Sequence, residues 1–104
     1  KPTLRQIEYF VAVAETGQVM RAAERCSASQ SSLTIALQNL EVIVGAPLFI
    51  RHAKGLRPTE AGERFLRHAY RILNATDDAL HEARTLPDRV QKVWGGRKAV
   101  VSMS

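Results

Sequence analysis

Short hydrogen-bonding side chains are concentrated in one segment of the chain, and at helical spacing most of them share a face with Ile35. The segment supplies hydroxyls and amides from Ser29, Gln30, Ser31, Ser32, Thr34 and Gln38. Such a face can donate and accept many hydrogen bonds, but it holds no nucleophile and base at a catalytic spacing. The chemistry that it offers is non-covalent recognition of a polar surface.

Positive charge forms a second group. The chain has 104 residues, with fifteen Lys and Arg against ten Asp and Glu, giving a formal charge of +5. Between residues 51 and 71, only Glu60 and Glu63 oppose six basic residues. A localised excess of this kind indicates a polyanionic partner. We expect Arg51, Lys54 and Arg57 to contact phosphates or an adjacent minor groove, with a basic loop of no specific function as the alternative.

The remaining reactive side chains do not predict catalysis. The three histidines are scattered, Cys26 lies on an apolar face, and their spacing matches no metal site. Glu60 and Glu63 are explained by the positive end of a helix. We therefore expect no enzyme activity, metal or cofactor. A single cysteine, and no apolar run suited to a signal peptide or a membrane span, favour a cytoplasmic protein.

Three helices are predicted before residue 46. The first begins after Thr3 with a capping box to Gln6 and stops at Gly17. A short second helix and the turn at residues 27–29 lead to a third helix from Gln30 to about residue 44. One stripe of the third helix should pack inward, namely Leu33, Leu37, Leu40 and Val44. Residues 18–37 thus read as a helix-turn-helix whose second helix suits the major groove of DNA.

A hairpin and a long helix should follow. Short extended runs around residues 52–55 predict a two-stranded ribbon, or wing, over residues 47–58. Thr59 should cap a fourth helix that runs to about Leu86. Its apolar face is longer than a three-helix core can cover, so we expect a homodimer, with a monomeric cover as the alternative. The predicted dimer residues are Phe65, Leu66, Ala69, Ile72, Leu73, Thr76, Ala79, Leu80 and Ala83.

Several motifs give the chain a family resemblance. They are residues 4–15 (LRQIEYFVAVAE), 22–25 (AAER), 29–30 (SQ), 40–41 (LE), 45–49 (GAPLF) with Arg51, and 58–62 (PTEAG). In this order they resemble the N-terminal domain of LysR-type transcriptional regulators. The resemblance implies a mainly α winged helix-turn-helix in residues 1–58, a linker and dimerisation helix in residues 59–88, and sequence-specific promoter binding.

The resemblance also implies parts that this chain does not contain. A C-terminal domain that senses a small-molecule effector and supports tetramer assembly would follow the chain. Residues 89–104 would then hold the hinge, at Gly95 and Gly96, and the start of that absent domain. The operator sequence and the effector are not predicted.

The third helix departs from the family pattern. Ser31 replaces the usual proline, and Ile35, Gln38 and Asn39 stand where basic residues are frequent. We therefore expect Ile35 to meet a thymine methyl group and Gln38 to pair with adenine. Gln30, Ser31 and Thr34 should contact phosphates at the start of the helix. A two-fold dimer would read an inverted repeat of double-stranded DNA. The alternative is a dimerisation adaptor that does not bind DNA.

Overall fold

The computed structural model describes residues 1–85, which form four helices and one antiparallel hairpin. In chain order they are α1 (Leu4–Thr16), α2 (Val19–Arg25), α3 (Gln30–Val44), β1 (Phe49–His52), β2 (Gly55–Pro58) and α4 (Glu60–Thr85). This confirms the predicted mainly α winged helix-turn-helix. The predicted end of the long helix near Leu86, its linker to residue 88 and the hinge in residues 89–104 lie outside the described residues.

The helix ends match the sequence signals. The Gln6 amide donates to Thr3 Oγ1 at 3.1 Å and the Thr3 amide donates to Gln6 Oε1 at 2.8 Å, which forms the predicted capping box. Ser29 Oγ accepts from the Ser32 amide at 3.1 Å and begins α3. Left-handed glycines end α1 and α3, at Gly17 and Gly45. Local chemistry thus sets the positions of α1 and α3 along the chain.

The inward stripe of α3 seats that helix in the core. Leu33 and Leu40 are fully buried, and Leu37 is 9% exposed. Val44 was predicted to continue the stripe, but it is 37% exposed. Because the helix ends at this residue, the following chain does not cover its side chain. The inward face of α3 therefore ends at Leu40.

Phe10 of α1 lies at the centre of the core. Its ring centroid is 5.1 Å from that of Phe49 in β1 and 5.1 Å from that of Phe65 in α4. The pair with Phe65 is edge-to-face, an arrangement that aromatic rings favour. The helix-turn-helix, the wing and the first turns of α4 therefore share one hydrophobic core.

The hairpin is anchored to the end of α1 close to its turn. Phe49 pairs with Pro58 and His52 pairs with Gly55, so Ala53 and Lys54 form the turn. The Leu56 amide donates to the Gly17 carbonyl at 2.8 Å. Gly55 has φ +131°, and a Cβ there would lie 2.3 Å from the same carbonyl oxygen. Only glycine fits this close approach between the hairpin and the end of α1.

The motifs at residues 45–49 and 58–62 contact each other. Thr59 Oγ1 donates to the Pro47 carbonyl at 2.7 Å, and the Thr59 amide donates to the Leu48 carbonyl at 3.0 Å. Leu48 also donates its own amide to Glu41 at 2.7 Å. A Cβ at Gly62 would lie 2.2 Å from the Leu48 oxygen, so α4 approaches this segment more closely than alanine would allow. The two motifs together fix the start of α4 on the chain before the wing.

The chain divides into two compact units, Lys1–Asn74 and Ala75–Ser104, the second described only to residue 85. In the first unit Ala69 is fully buried in the core. Its prediction as a dimer residue is therefore wrong, because this chain's own helices already cover it. Phe65, Leu66 and Leu73 are partly buried against the same core, and Ile72 is 38% exposed.

In the second unit, Ala79, Leu80 and Ala83 are exposed, whereas Thr76 is half-buried. Leu80 is 48% exposed. Within residues 1–85 no helix is both long and apolar enough to cross a membrane.

Candidate nucleic-acid interface

The outward face of α3 presents the polar residues that the sequence singled out. Ser29, Gln30, Ser31 and Gln38 are exposed and Thr34 is half-buried. Ile35 is 57% exposed in the middle of this face. Because Leu33, Leu37 and Leu40 hold the opposite side in the core, the outward face keeps a fixed orientation. The structure brings these predicted residues together on one helix surface.

The hydroxyl and amide groups of this face differ in what they already bind. Ser29 Oγ accepts from the Ser32 amide and interacts with the Ser32 hydroxyl at 2.9 Å, so it serves as a helix cap. In contrast, the side chains of Gln30, Thr34 and Gln38 form no hydrogen bond within residues 1–85. Their donors and acceptors are therefore available to a partner.

The wing presents its positive charge on both faces. Arg51, Lys54 and Arg57 are exposed, and none of them forms an ion pair in the part of the chain that the structure describes. Arg57 lies opposite Ile50, and Arg51 lies opposite Leu56. Since paired residues share a face and neighbours alternate, Arg51 and Arg57 project from opposite faces of the ribbon. Lys54 lies at the turn between them.

Arg25 of α2 is not available in the same way. Its Nη1 atom lies 2.5 Å from Glu15 of α1, and the second Glu15 oxygen accepts from the Tyr70 hydroxyl of α4 at 2.5 Å. The hydrogen bond from Tyr70 and then the pairing with Arg25 lower the pKa of Glu15. The same bond raises the pKa of Tyr70. This cluster joins three helices and neutralises one cation of the helix-turn-helix.

Other groups with possible chemistry are isolated. Burial raises the pKa of the Cys26 thiol, which keeps it protonated and weakly nucleophilic. Among residues 1–85 no group of three His, Cys, Asp or Glu residues is placed to hold a metal ion. The exposed surface of α3 and the wing therefore offers hydrogen bonds and positive charge.

The helical spacing of the sequence does not predict that α1 contributes Arg5 to this surface. The structure places Arg5 of α1 on the edge of a groove that it shares with Ile35 and Asn39 of α3. Residues 5 and 35 belong to different helices, and no periodicity connects them. Packing of α1 on α3 creates the juxtaposition, so only the tertiary structure reveals it.

Comparison with known proteins gives consistent results. The family model for "Bacterial regulatory helix-turn-helix protein, lysR family" matches residues 4–63. YdcI of Escherichia coli (strain K12), described as an uncharacterized HTH-type transcriptional regulator, is 43% identical over 93 residues, or 86% of this chain and 30% of YdcI. BudR of Klebsiella aerogenes, an HTH-type transcriptional regulator, is 46% identical over 81 residues, or 78% of this chain and 57% of BudR.

Similarity to a solved structure extends to the fold. The crystal structure of a CbnR_DBD–DNA complex aligns with a TM-score of 0.73 and 39% identity over 79% of this chain and 94% of that chain. The chain spans less than two thirds of the length of YdcI and BudR. Because the family model covers residues 4–63, more than half of the 104 residues, this chain belongs to the lysR family of bacterial regulatory helix-turn-helix proteins.

Proposed function

We propose that this chain binds double-stranded DNA sequence-specifically, as the DNA-binding part of a transcriptional regulator. The observation that carries the proposal is the fixed outward face of α3, with Gln30, Thr34 and Gln38 free of internal hydrogen bonds. An α-helix with short polar side chains fits the major groove, where base edges present donors and acceptors. The similarity to a CbnR domain solved with DNA supports the same function.

Base reading is assigned to the middle of α3. Gln38 can form paired hydrogen bonds with adenine, and the exposed Ile35 can contact a thymine methyl group. Gln30, Ser31 and Thr34, near the positive end of the helix, contact phosphates. The proposal thus gives the helix start a positioning role and its middle a reading role.

The wing contributes affinity more than selectivity. Arg51, Lys54 and Arg57 lie against the DNA backbone or the adjacent minor groove, where each neutralised phosphate releases counterions. Binding should therefore weaken steeply as salt concentration rises. Because Arg51 and Arg57 project from opposite faces of the wing, they could contact the two sugar-phosphate backbones that border a DNA groove.

The binding unit in this proposal is a homodimer. In the second unit Ala79, Leu80 and Ala83 are exposed, and a second copy of the chain would cover them. The partner target is an inverted repeat with half-sites about 34 Å apart, if each recognition helix enters a successive major groove. We propose that the protein binds DNA in the bacterial cytoplasm and does not catalyse a reaction. Any small-molecule effector would bind outside these 104 residues.

Selection of bound duplexes from a random pool tests the proposal. The expected result is an enriched inverted repeat in which each half-site contains an adenine for Gln38 and a thymine for Ile35. Affinity for the selected duplex should fall linearly on a log–log plot against salt concentration. If the protein binds no duplex DNA even at low salt, the result would favour the adaptor function instead. Enrichment of single half-sites without symmetry would contradict the dimer but not DNA binding.

A further inference from the structure

The helix that should enter DNA carries no positive charge of its own. Among its fifteen residues the charged side chain is that of Glu41, near the C-terminal end. A helix in the major groove has phosphates on both flanks, and its register depends on contacts to them. Any cation that contacts the phosphates beside α3 therefore comes from another element.

A groove of about 370 Å³ between α1 and α3 brings one such cation beside the reading face. Arg5 and Tyr9 line it from α1, and Ser32, Ile35 and Asn39 line it from α3. Arg5 is exposed, so its guanidinium is accessible to a large partner. The groove therefore places a cation next to Ile35, the residue proposed to meet a thymine methyl group.

Tyr9 orients this guanidinium. The Arg5 Nη1 atom donates to the Tyr9 hydroxyl at 3.4 Å, and Tyr9 itself is only 5% exposed because it belongs to the core. The other N–H groups of Arg5 form no hydrogen bond or ion pair within residues 1–85. Glu8, one turn away on α1, attracts Arg5 weakly but does not bond to it. Tyr9 thus holds one side of the guanidinium by a long hydrogen bond, and the other N–H groups remain available.

We propose that Arg5 binds a phosphodiester of the DNA backbone beside α3, with Tyr9 as its positioning residue. The planar guanidinium can hold two phosphate oxygens at once, which fixes direction as well as distance. Arg5 thereby sets the depth and register at which Ile35 and Gln38 meet the bases. The inference rests on the proposed DNA-binding function and adds a backbone contact from α1 to those of the wing.

Three variants test the contact on the selected duplex. Arg5→Ala should lower affinity about tenfold and reduce the salt slope by about 0.9, the value for one phosphate. Arg5→Lys should keep the slope but lose part of the affinity, because an ammonium makes no bidentate contact. Tyr9→Phe should keep the slope and weaken binding less than Arg5→Ala. Arg84→Ala, an equal change of net charge in the last turn of α4, should leave the slope unchanged.

Neutral methylphosphonates identify the phosphate. Substituting each backbone position in turn should reveal one position that weakens wild type but not Arg5→Ala. If wild type binds and Arg5→Ala keeps both its affinity and its slope, the inference is wrong and the proposed function stands. If wild type itself does not bind duplex DNA, the proposed function fails first. Thermal melting of each variant checks that loss of binding does not come from unfolding.

Discussion

Helix α3 and the wing expose polar surface by opposite means. Three leucines hold α3 in the core, and its outer face carries neutral side chains around Ile35. The wing consists of two four-residue strands joined by a two-residue turn. Three of its exposed residues, Arg51, Lys54 and Arg57, are positively charged. Two backbone contacts hold its ends, from Leu56 to Gly17 and from Thr59 to Leu48.

The proposed function gives the two elements different targets, and this accounts for the difference. Hydrogen bonds to base edges require side chains placed within a few tenths of an ångström, so the reading helix needs a rigid seat. Attraction between a cation and a phosphate tolerates displacement, because it falls slowly with distance. Under the proposed function, the buried leucines of α3 would support selectivity, and the exposed cations of the wing would supply charge.

Loss of the core packing of α3 should have the largest effect on the free energy of unfolding. Leu33→Ala removes a fully buried side chain and should lower the free energy of unfolding by about 2–5 kcal/mol. Ile35→Ala, two residues away on the exposed face, should change it by less than about 0.5 kcal/mol. Urea denaturation of both variants measures the difference. Equal losses would mean that α3 is not held by one face alone.

Loss of the anchor below the wing should be the next largest effect. Gly62→Ala forces a methyl group against the Leu48 carbonyl and should cost about 1–3 kcal/mol. The displaced wing should also reduce the salt slope of DNA binding. Gly45→Ala is the control: its φ of +85° makes alanine strained, but no atom lies within 4 Å of the new methyl group. That variant should lose stability and keep the slope.

Substitutions in the two elements should separate selectivity from charge. Gln38→Ala should relax preference at one base position by about 1–3 kcal/mol and leave other positions unchanged. Arg57→Ala should weaken binding to all duplexes alike and lower the salt slope by about 0.9. Titration of selected, point-substituted and unrelated duplexes distinguishes the two patterns. An equal loss on every duplex for Gln38→Ala would refute its reading role.

The smallest effect concerns the cluster that braces α1 against α2 and α4. Tyr70→Phe removes an exposed hydrogen bond to Glu15 and should lower stability at pH 7 by about 0.2–1 kcal/mol. Because the folded pKa of Glu15 is lowered, this contribution is present above the ordinary glutamate pKa of about 4.3 and is lost as pH falls through the folded value.

The same bond raises the pKa of Tyr70, so its contribution is present below the ordinary tyrosine pKa of about 10 and is lost as pH rises through the folded value. The melting temperatures of wild type and Tyr70→Phe should therefore differ at neutral pH and converge at both extremes. A difference that persists below the pH at which folded Glu15 is protonated would show that packing of the ring, not the hydrogen bond, carries the effect.

Much of the local structure was predictable because its causes are local. The capping box at Thr3, the cap at Ser29 and the glycines at residues 17 and 45 each act within a few residues, and all were read correctly. The predictions were wrong where the burial of a side chain depends on packing against another helix or strand. The helical spacing predicts Val44 in the core and Ala69 on the dimer surface, whereas the first is exposed and the second is buried.

Residue type and helical spacing alone define the polar face of α3 and the charge of the wing, the groups with which the proposed function recognises DNA. Tertiary structure decided which of them are free, because the chain's own hydrogen bonds occupy Ser29 and Arg25 but leave Gln38 and Arg57 available. It also placed Arg5 beside Ile35. Packing of α1 on α3 makes these two residues line one groove, and no local sequence pattern predicts that arrangement.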